Sequence, residues 1–110
     1  METFIKGDVV IVPFPFSDLT KTKRRPAFVV TNLTGDDLIL CQITSQNTTD
    51  SYAITITNED FITGGLNQNS NIRPNKLFTA ANQLILYKAG ELKPEKTQAV
   101  IAKIINILRQ

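Results

Sequence analysis

The chain has 110 residues, 42% of them hydrophobic, and its 12 Lys and Arg against 10 Asp and Glu give a formal charge of +2. This length and apolar content suit one core, so we expect residues 1–110 to form a single domain. With no histidine and one cysteine, the chain has no Ser-His-Asp nucleophile system and no zinc site. We therefore predict neither a metal nor another cofactor.

The single cysteine, Cys41, cannot form an internal disulfide. It lies in an apolar run, which indicates a small core residue and a reducing compartment. The N-terminus has no basic segment followed by a hydrophobic helix, and no apolar run is long enough to span a membrane. We expect a cytoplasmic protein with no membrane contact.

The first half of the chain predicts an antiparallel meander. Residues 9–12, 27–31 and 38–44 are rich in β-branched residues, and the turn at 34–37 joins the second strand to the third. Residues 52–57 alternate between apolar and polar with a period of two, which predicts a fourth strand with one buried face.

The second half predicts a connection, two further strands and a helix. Glycine and asparagine in 58–71 favour an exposed segment with one short helical turn. Residues 72–79 predict a strand kinked at Pro74, and 83–87 a short final strand that Gly90 closes.

A helix is predicted from Pro94, which suits the first helical turn because its missing N–H removes no helical hydrogen bond. The apolar residues that follow fall on one helical face: Val100, Ile101, Ile104, Ile105 and Leu108. Arg109 lies favourably at the negative end of the helix dipole. The predicted fold is mainly β (α+β): a small curled antiparallel sheet with a C-terminal α-helix.

Three segments carry a resemblance. Residues 7–32 read GDVVIVPFPFSDLTKTKRRPAFVVTN, residues 44–46 read TSQ at the end of an apolar strand, and the chain ends in AKIINILRQ. In this order and spacing they resemble the MazF/PemK-like toxins of bacterial type II toxin–antitoxin systems. Those chains commonly begin with Gly-Asp-Val, cross a flexible loop and enter a strand through Arg-Pro.

The resemblance implies an SH3-like barrel and a metal-independent, sequence-selective endoribonuclease. Its substrate would be single-stranded mRNA, cut to 2′,3′-cyclic phosphate and 5′-hydroxyl ends. The resemblance also implies a homodimer whose groove binds RNA, a cognate antitoxin protein that occupies the groove, and DNA contact only through the antitoxin complex.

RNA cleavage suits a chain without histidine because the attacking 2′-hydroxyl belongs to the substrate. The protein needs to align the reacting atoms and stabilise charge on the phosphoryl oxygens. Arg25 is the candidate donor, because its planar guanidinium matches two phosphate oxygens. The resemblance adds Thr44 as a second catalytic residue. Without the resemblance, the alternative is that Arg25 is an ordinary surface arginine and that Thr44 is an ordinary strand residue.

Five further residues are candidates for substrate binding. Lys23 and Arg24 belong to a basic run. The alternative interpretation of this run is a solvated loop that binds no substrate. Phe16, like Phe14, either folds onto the core or stacks on an unpaired base. The resemblance adds Ser45 and Gln46, which follow the threonine.

Arg73 and Asn75 complete the candidate substrate-binding set. The PemK/Kid branch carries Arg-x-Asp at a similar place, and here the triplet is Arg73-Pro74-Asn75. Asparagine cannot act as a general base, so the proton acceptor stays open. Two alternatives follow: a non-catalytic RNA-binding module on the same fold, and a β-barrel domain that binds proteins only.

Overall fold

The computed structural model describes residues 3–14 and 23–110. Over these residues it contains seven β-strands and one α-helix. In chain order they are β1 (Asp8–Phe14), β2 (Lys23–Asn32), β3 (Asp37–Thr44), β4 (Ile54–Ile56), β5 (Phe61–Gly64), β6 (Ser70–Ala81), β7 (Tyr87–Leu92) and α1 (Pro94–Leu108). No helix within this part of the chain is long and apolar enough to cross a membrane.

The strands form one antiparallel sheet in the order β4-β6-β3-β2-β1-β7-β5. The sheet is apolar on both faces, because successive residues of its central strands point alternately to two hydrophobic clusters. One cluster includes Val9, Phe28 and Cys41 and is covered by Val100 and Ile104 of α1. Burial in this cluster raises the pKa of the Cys41 thiol to about 12.

The second cluster lies on the opposite face, which we call the inner face. It is built from Val10, Val12, Ala27, Val29 and Leu40, with Phe4 packed among them. The sheet curls into a half-barrel, so that this face also buries its apolar side chains. The predicted fold class, mainly β with a C-terminal helix, is confirmed.

The first half of the chain follows the prediction. The three strands at 9–12, 27–31 and 38–44 are present, each longer than predicted, and Gly35 adopts a positive φ in the turn between β2 and β3. The fourth strand covers only Ile54–Ile56. The carboxylate of Asp50 accepts the backbone N–H of Tyr52 at 2.9 Å and holds the preceding residues in a turn.

The second half differs from the prediction in two places. The connection at 58–71 has the expected helical turn at Asn58–Asp60, but β5 follows it and pairs with β7. Residues 83–87 are not a strand, because Asn82–Leu84 form a 3-10 turn and β7 begins at Tyr87. Gly90 lies inside β7 rather than closing it. A Cβ there would lie 2.6 Å from the carbonyl oxygen of Thr63, so the close approach of β5 requires glycine.

The kink in β6 is confirmed. The register of β3 and β6 passes from Cys41–Leu77 directly to Gln42–Arg73. Three residues of β6 therefore have no partner on β3 and form a bulge. Pro74 opens this bulge, where its missing N–H interrupts no ladder bond. α1 begins at Pro94 as predicted, with Val100 and Ile104 buried, although Ile105 and Leu108 on the predicted face are exposed.

Asp8, in the Gly-Asp pair that opens the segment of residues 7–32, has a structural role. Asp8 is 2% exposed, and its carboxylate accepts the backbone N–H of Ile5 at 2.9 Å. It also pairs with the ammonium of Lys88 at 3.3 Å. A hydrogen bond to Glu91, supported by the charge of Asp8, raises the pKa of Lys88. These bonds fix the entry of the chain into β1.

Two glycines with positive φ provide a matched test of the pairing of β5 with β7. Gly64→Ala places a Cβ 2.1 Å from the carbonyl oxygen of Ala89, whereas Gly35→Ala meets no atom within 4 Å. We expect Gly35→Ala to lower the free energy of unfolding by about 1–2 kcal/mol through backbone strain. Gly64→Ala should cost roughly 1–3 kcal/mol more through the clash. Urea unfolding measures both, and equal losses would contradict the close approach of the strands.

Candidate active site

A row of polar side chains crosses the inner face near the ends of four strands, and we call it the polar row. It consists of Arg25 on β2, Thr44 on β3, Asn71 on β6 and Thr55 on β4. Thr44 is the register partner of Asn71, and Asn71 is the register partner of Thr55. Directly opposed residues point to the same face of a sheet. These three side chains therefore stand in line across three strands.

Arg25 extends the row onto β2. The described register of β2 and β3 ends at the pair Ala27–Gln42. Arg25 and Thr44 each lie two residues beyond that pair, so alternation places both side chains on the same face. Arg25 is exposed and Thr44 is half-buried. The structure thus brings the two predicted catalytic residues to one solvent-accessible face of neighbouring strands. Their catalytic role stays a prediction.

Apolar side chains border Arg25. Val12 is its register partner on β1, and the two line a small cleft of about 20 Å³ together with Phe14 and Phe78. The two phenylalanine rings pack against each other with centroids 5.7 Å apart and planes inclined by 51°. Phe14 therefore has a ring partner within the protein. Phe16, the other residue predicted to stack, lies outside the described residues.

The Thr44 hydroxyl is oriented by the turn that follows β3. Its Oγ1 accepts the backbone N–H of Gln46 at 3.2 Å, which leaves the hydroxyl proton to be donated elsewhere. The carbonyl of Gln46 accepts the Asn71 amide nitrogen at 3.4 Å. Asn71 Oδ1 in turn accepts the Thr55 hydroxyl at 2.9 Å. A chain of hydrogen bonds thus links Thr44, Asn71 and Thr55 through the backbone of Gln46.

Arg73 and Asn75 are held by a carboxylate that the sequence did not reveal. Arg73 shares the face of its register partner Gln42, and its Nε and Nη2 both donate to Asp50 Oδ2 at 3.2 Å. The side chains are 27% and 10% exposed. The backbone N–H of Tyr52 lowers the pKa of Asp50 most, followed by hydrogen bonds from Arg73 and Asn75 and the Arg73 charge.

An acid therefore stands beside the Arg73-Pro74-Asn75 triplet, although it comes from the loop after β3. Because its pKa is lowered, Asp50 is ionised at neutral pH and is a weak base. Its geometry suits positioning of the Arg73 guanidinium. Nothing in the spacing of residues 50 and 73 indicates this pair, since it depends on how β6 pairs with β3.

The basic residues at the start of β2 do not all face the same way. Lys23 and Arg24 are both exposed and pair with Phe14 and Pro13 of β1. Alternation places Lys23 on the side of Arg25 and Arg24 on the opposite side. The structure therefore groups Lys23, and not Arg24, with the polar row. Arg24 could contact a substrate only from the opposite face of the sheet.

A polar cleft of about 350 Å³ lies at the far end of the polar row, and we call it the amide cleft. The predicted residue Ser45 lines it. The other lining residues, like Ser45, are uncharged: Asn47, Thr48, Thr55, Asn69, Ser70 and Asn71. Gln46 is exposed beside it. Among the residues that the structure describes, no group of three or more His, Cys, Asp or Glu side chains is placed to hold a metal ion.

The sequence matches one family model, described as PemK-like, MazF-like toxin of type II toxin-antitoxin system, over residues 5–108. No curated protein matches the chain.

Several solved structures are similar in backbone. MazF from Deinococcus radiodurans (form I) is 16% identical, with a TM-score of 0.76 and 100% of both chains covered. An endoribonuclease in complex with its cognate antitoxin, from a mycobacterial species, is 16% identical, with a TM-score of 0.72 over 97% of this chain and 96% of the other. The Mycobacterium tuberculosis toxin MazF-mt6 is 17% identical, with a TM-score of 0.65 over 89% and 93%. At these identities the likeness is one of fold.

The Asp50–Arg73 pair predicts a pH-dependent loss of stability. Because folding lowers the pKa of Asp50 from its ordinary value of 3.8, its stabilising contribution is present above pH 3.8 and is lost as the pH falls through the lower, folded pKa. We expect Asp50→Asn to unfold at lower urea than the parent at pH 7. Below the folded pKa the difference should shrink.

The control for this experiment is Asp36→Asn, which changes an exposed acid in the turn between β2 and β3. It should unfold with the parent at both pH values. An Asp50→Asn protein as stable as the parent at pH 7 would contradict a stabilising role for the pair.

Proposed function

Because the chain belongs to the PemK-like, MazF-like toxins of type II toxin–antitoxin systems, we propose that it is an endoribonuclease that cleaves single-stranded mRNA at selected sequences without a metal ion. One observation carries the proposal: Arg25 and Thr44 share an accessible face on neighbouring strands, at the head of the polar row. The similarity in fold to proteins named endoribonuclease supports it.

The proposed reaction is an internal transphosphorylation. The ribose 2′-oxygen forms a bond to phosphorus as the bond from phosphorus to the 5′-oxygen breaks. The products are a 2′,3′-cyclic phosphate and a 5′-hydroxyl, with the 2′ proton passing to water and the 5′-oxygen taking a proton from water. Arg25 donates hydrogen bonds to the phosphoryl oxygens as their charge grows. Thr44 donates its hydroxyl proton to the same group.

Positioning and charge stabilisation carry most of this mechanism. The Asp50 carboxylate is held by Arg73 and has a lowered pKa, so it is a poor acceptor for the 2′ proton. The proposed role of Asp50 is to hold Arg73 next to the row. Lys23 adds a second positive charge on the side of Arg25 and attracts the RNA backbone.

The proposed partners follow from the family. Structures of similar fold have been solved with a cognate antitoxin and as MazE-MazF. We infer that this chain is neutralised by an antitoxin protein in the cytoplasm, that it acts as a homodimer whose groove includes the polar row, and that it meets DNA only through the antitoxin complex.

A non-catalytic RNA-binding module is the second candidate. The engagement of Arg73 and Asn75 by Asp50 favours it, because both side chains are turned to a protein partner. Gel electrophoresis of a defined RNA with chelator present separates the two functions. A binding module retards the RNA, whereas a nuclease shortens it.

Arg25→Ala tests the proposed site. A charge-assisted hydrogen bond of roughly 1.5–3 kcal/mol, made in the transition state, corresponds to a loss of roughly 10- to 100-fold in kcat/KM. Arg25→Lys should fall between Ala and the parent, because it keeps the charge without the planar fork. The rate is measured on a fluorogenic single-stranded RNA.

The matched control is Arg109→Ala, which removes an exposed arginine at the end of α1. It should cut at the parental rate. Arg25→Ala protein that cuts as fast as Arg109→Ala protein would remove Arg25 from the mechanism.

The substrate itself tests the chemistry. Replacement of the single 2′-hydroxyl next to the cleaved bond by hydrogen should abolish cleavage at that bond, because the nucleophile is gone, while neighbouring sites are still cut. Chelator should leave the rate unchanged. Denaturing gels and mass spectrometry of the fragment ends report the outcome. Cleavage of the deoxy-substituted bond would show that water is the nucleophile instead.

A further inference from the structure

We propose that the amide cleft binds a nucleobase adjacent to the cleaved bond and that Asn71 selects it. The inference rests on the proposed function, because it takes the cleaved phosphate to lie at Arg25 and Thr44. It adds a subsite, a ligand class and the residues that set sequence preference.

The chemistry of the cleft favours a base over a phosphate. Every residue that lines it is uncharged, so it offers no charge to neutralise a phosphate. Three of the lining residues are asparagines, whose amides carry donors and an acceptor, and the other four are serines and threonines. Such groups match the hydrogen-bonding edges of an unstacked base. The volume of about 350 Å³ falls within the range of roughly 300–1,000 Å³ found for small-ligand sites.

The position of the cleft fits the nucleotide next to the cleaved bond. Thr44 and Asn71 are register partners, as are Asn71 and Thr55, and neighbouring strands lie roughly 4.8 Å apart. The Asn71 amide therefore lies about one strand spacing from the catalytic threonine, and Thr55 about two. Ser45, directly after Thr44 in the chain, lines the same cleft. A phosphate and the base of a nucleotide bonded to it are separated on the same scale.

The Asn71 amide is already oriented before any ligand binds. Its Oδ1 accepts the Thr55 hydroxyl at 2.9 Å and its Nδ2 donates to the Gln46 carbonyl at 3.4 Å. These two bonds fix which end of the amide carries oxygen and which nitrogen. Each end keeps further capacity, because a carbonyl oxygen has two lone pairs and an amide nitrogen two protons. Asn71 thus presents an acceptor and a donor side by side, while Thr55 acts as its positioning residue.

The test is a map of cleavage sites on a long single-stranded RNA, obtained by sequencing the 5′-hydroxyl ends. The parent should prefer one base at a position flanking the cut. Asn71→Ala should still cut but lose this preference by about 5- to 150-fold, which corresponds to the 1–3 kcal/mol of a good bidentate amide contact. Thr55→Val should lose part of it. Asn106→Ala, an exposed asparagine of α1, is the matched control and should keep the parental map.

Asn71→Asp is a second variant that preserves size and replaces the donor by an acceptor. It should shift the preference toward bases that present amino groups, which are cytosine, adenine and guanine, and away from uracil. If Asn71→Ala or Asn71→Asp cuts at the same bases and with the same relative rates as the parent, the proposal that the amide cleft selects a base is wrong. The proposed nuclease function would not be affected by that result.

A parent that cuts no RNA would overturn the proposed function instead, and binding then decides the subsite. Fluorescence anisotropy with single-stranded 2′-O-methyl hexamers, each holding one fixed base at one position, measures base preference without cleavage. A preference in the parent that Asn71→Ala lacks supports the subsite. Equal binding of all hexamers by the parent, or the same preference in both proteins, overturns it.

Discussion

The candidate site depends on strand register. Side chains of a strand point alternately to two faces, so a slip of one residue would send that strand's member of the polar row to the helix-covered face. The pairs Val10–Ala27 and Ala27–Gln42 join β1, β2 and β3. They place the buried side chains of Val10 and Ala27 next to the polar row, with the half-buried Gln42 beside them. What holds the site in place is therefore the burial of its neighbours, one pair further along each strand.

The core fixes this register because both faces of the sheet are apolar. Val9 and Phe28 pack beneath α1, while Val10 and Ala27 pack in the inner cluster. Each pair is in register across β1 and β2. A slip would exchange the residues of the two clusters and break their packing on both sides at once. The polar row lies where the inner cluster ends at solvent, so that Arg25 is exposed while its partner Val12 is 1% exposed.

Local patterns in the sequence were sufficient to predict the strands and the helix whose own residues have a clear hydrophobic pattern. The β-branched runs predicted β1 to β3, and the helical period after Pro94 predicted α1. β5 escaped prediction because three of its four residues are exposed, and it is a strand only because β7 approaches closely at Gly90. The face shared by Arg25 and Thr44 agrees with a hypothesis that came from resemblance. No local sequence pattern marks Asn71 or Thr55 as site residues. Their place in the polar row is set by the pairing of β6 with its neighbours β3 and β4.

Asp50 shows why part of the site escapes a sequence motif. The triplet Arg73-Pro74-Asn75 has no acid, yet the bulge that Pro74 opens turns Arg73 and Asn75 toward the loop after β3, where Asp50 supplies one. The pairing neutralises one arginine on this face, so Arg25 and Lys23 remain as its cations at the start of β2. In the proposed nuclease, attraction of these cations to phosphate does not depend on sequence, so discrimination between RNA sequences would come from oriented hydrogen bonds. Such bonds are what the uncharged far end of the polar row can offer.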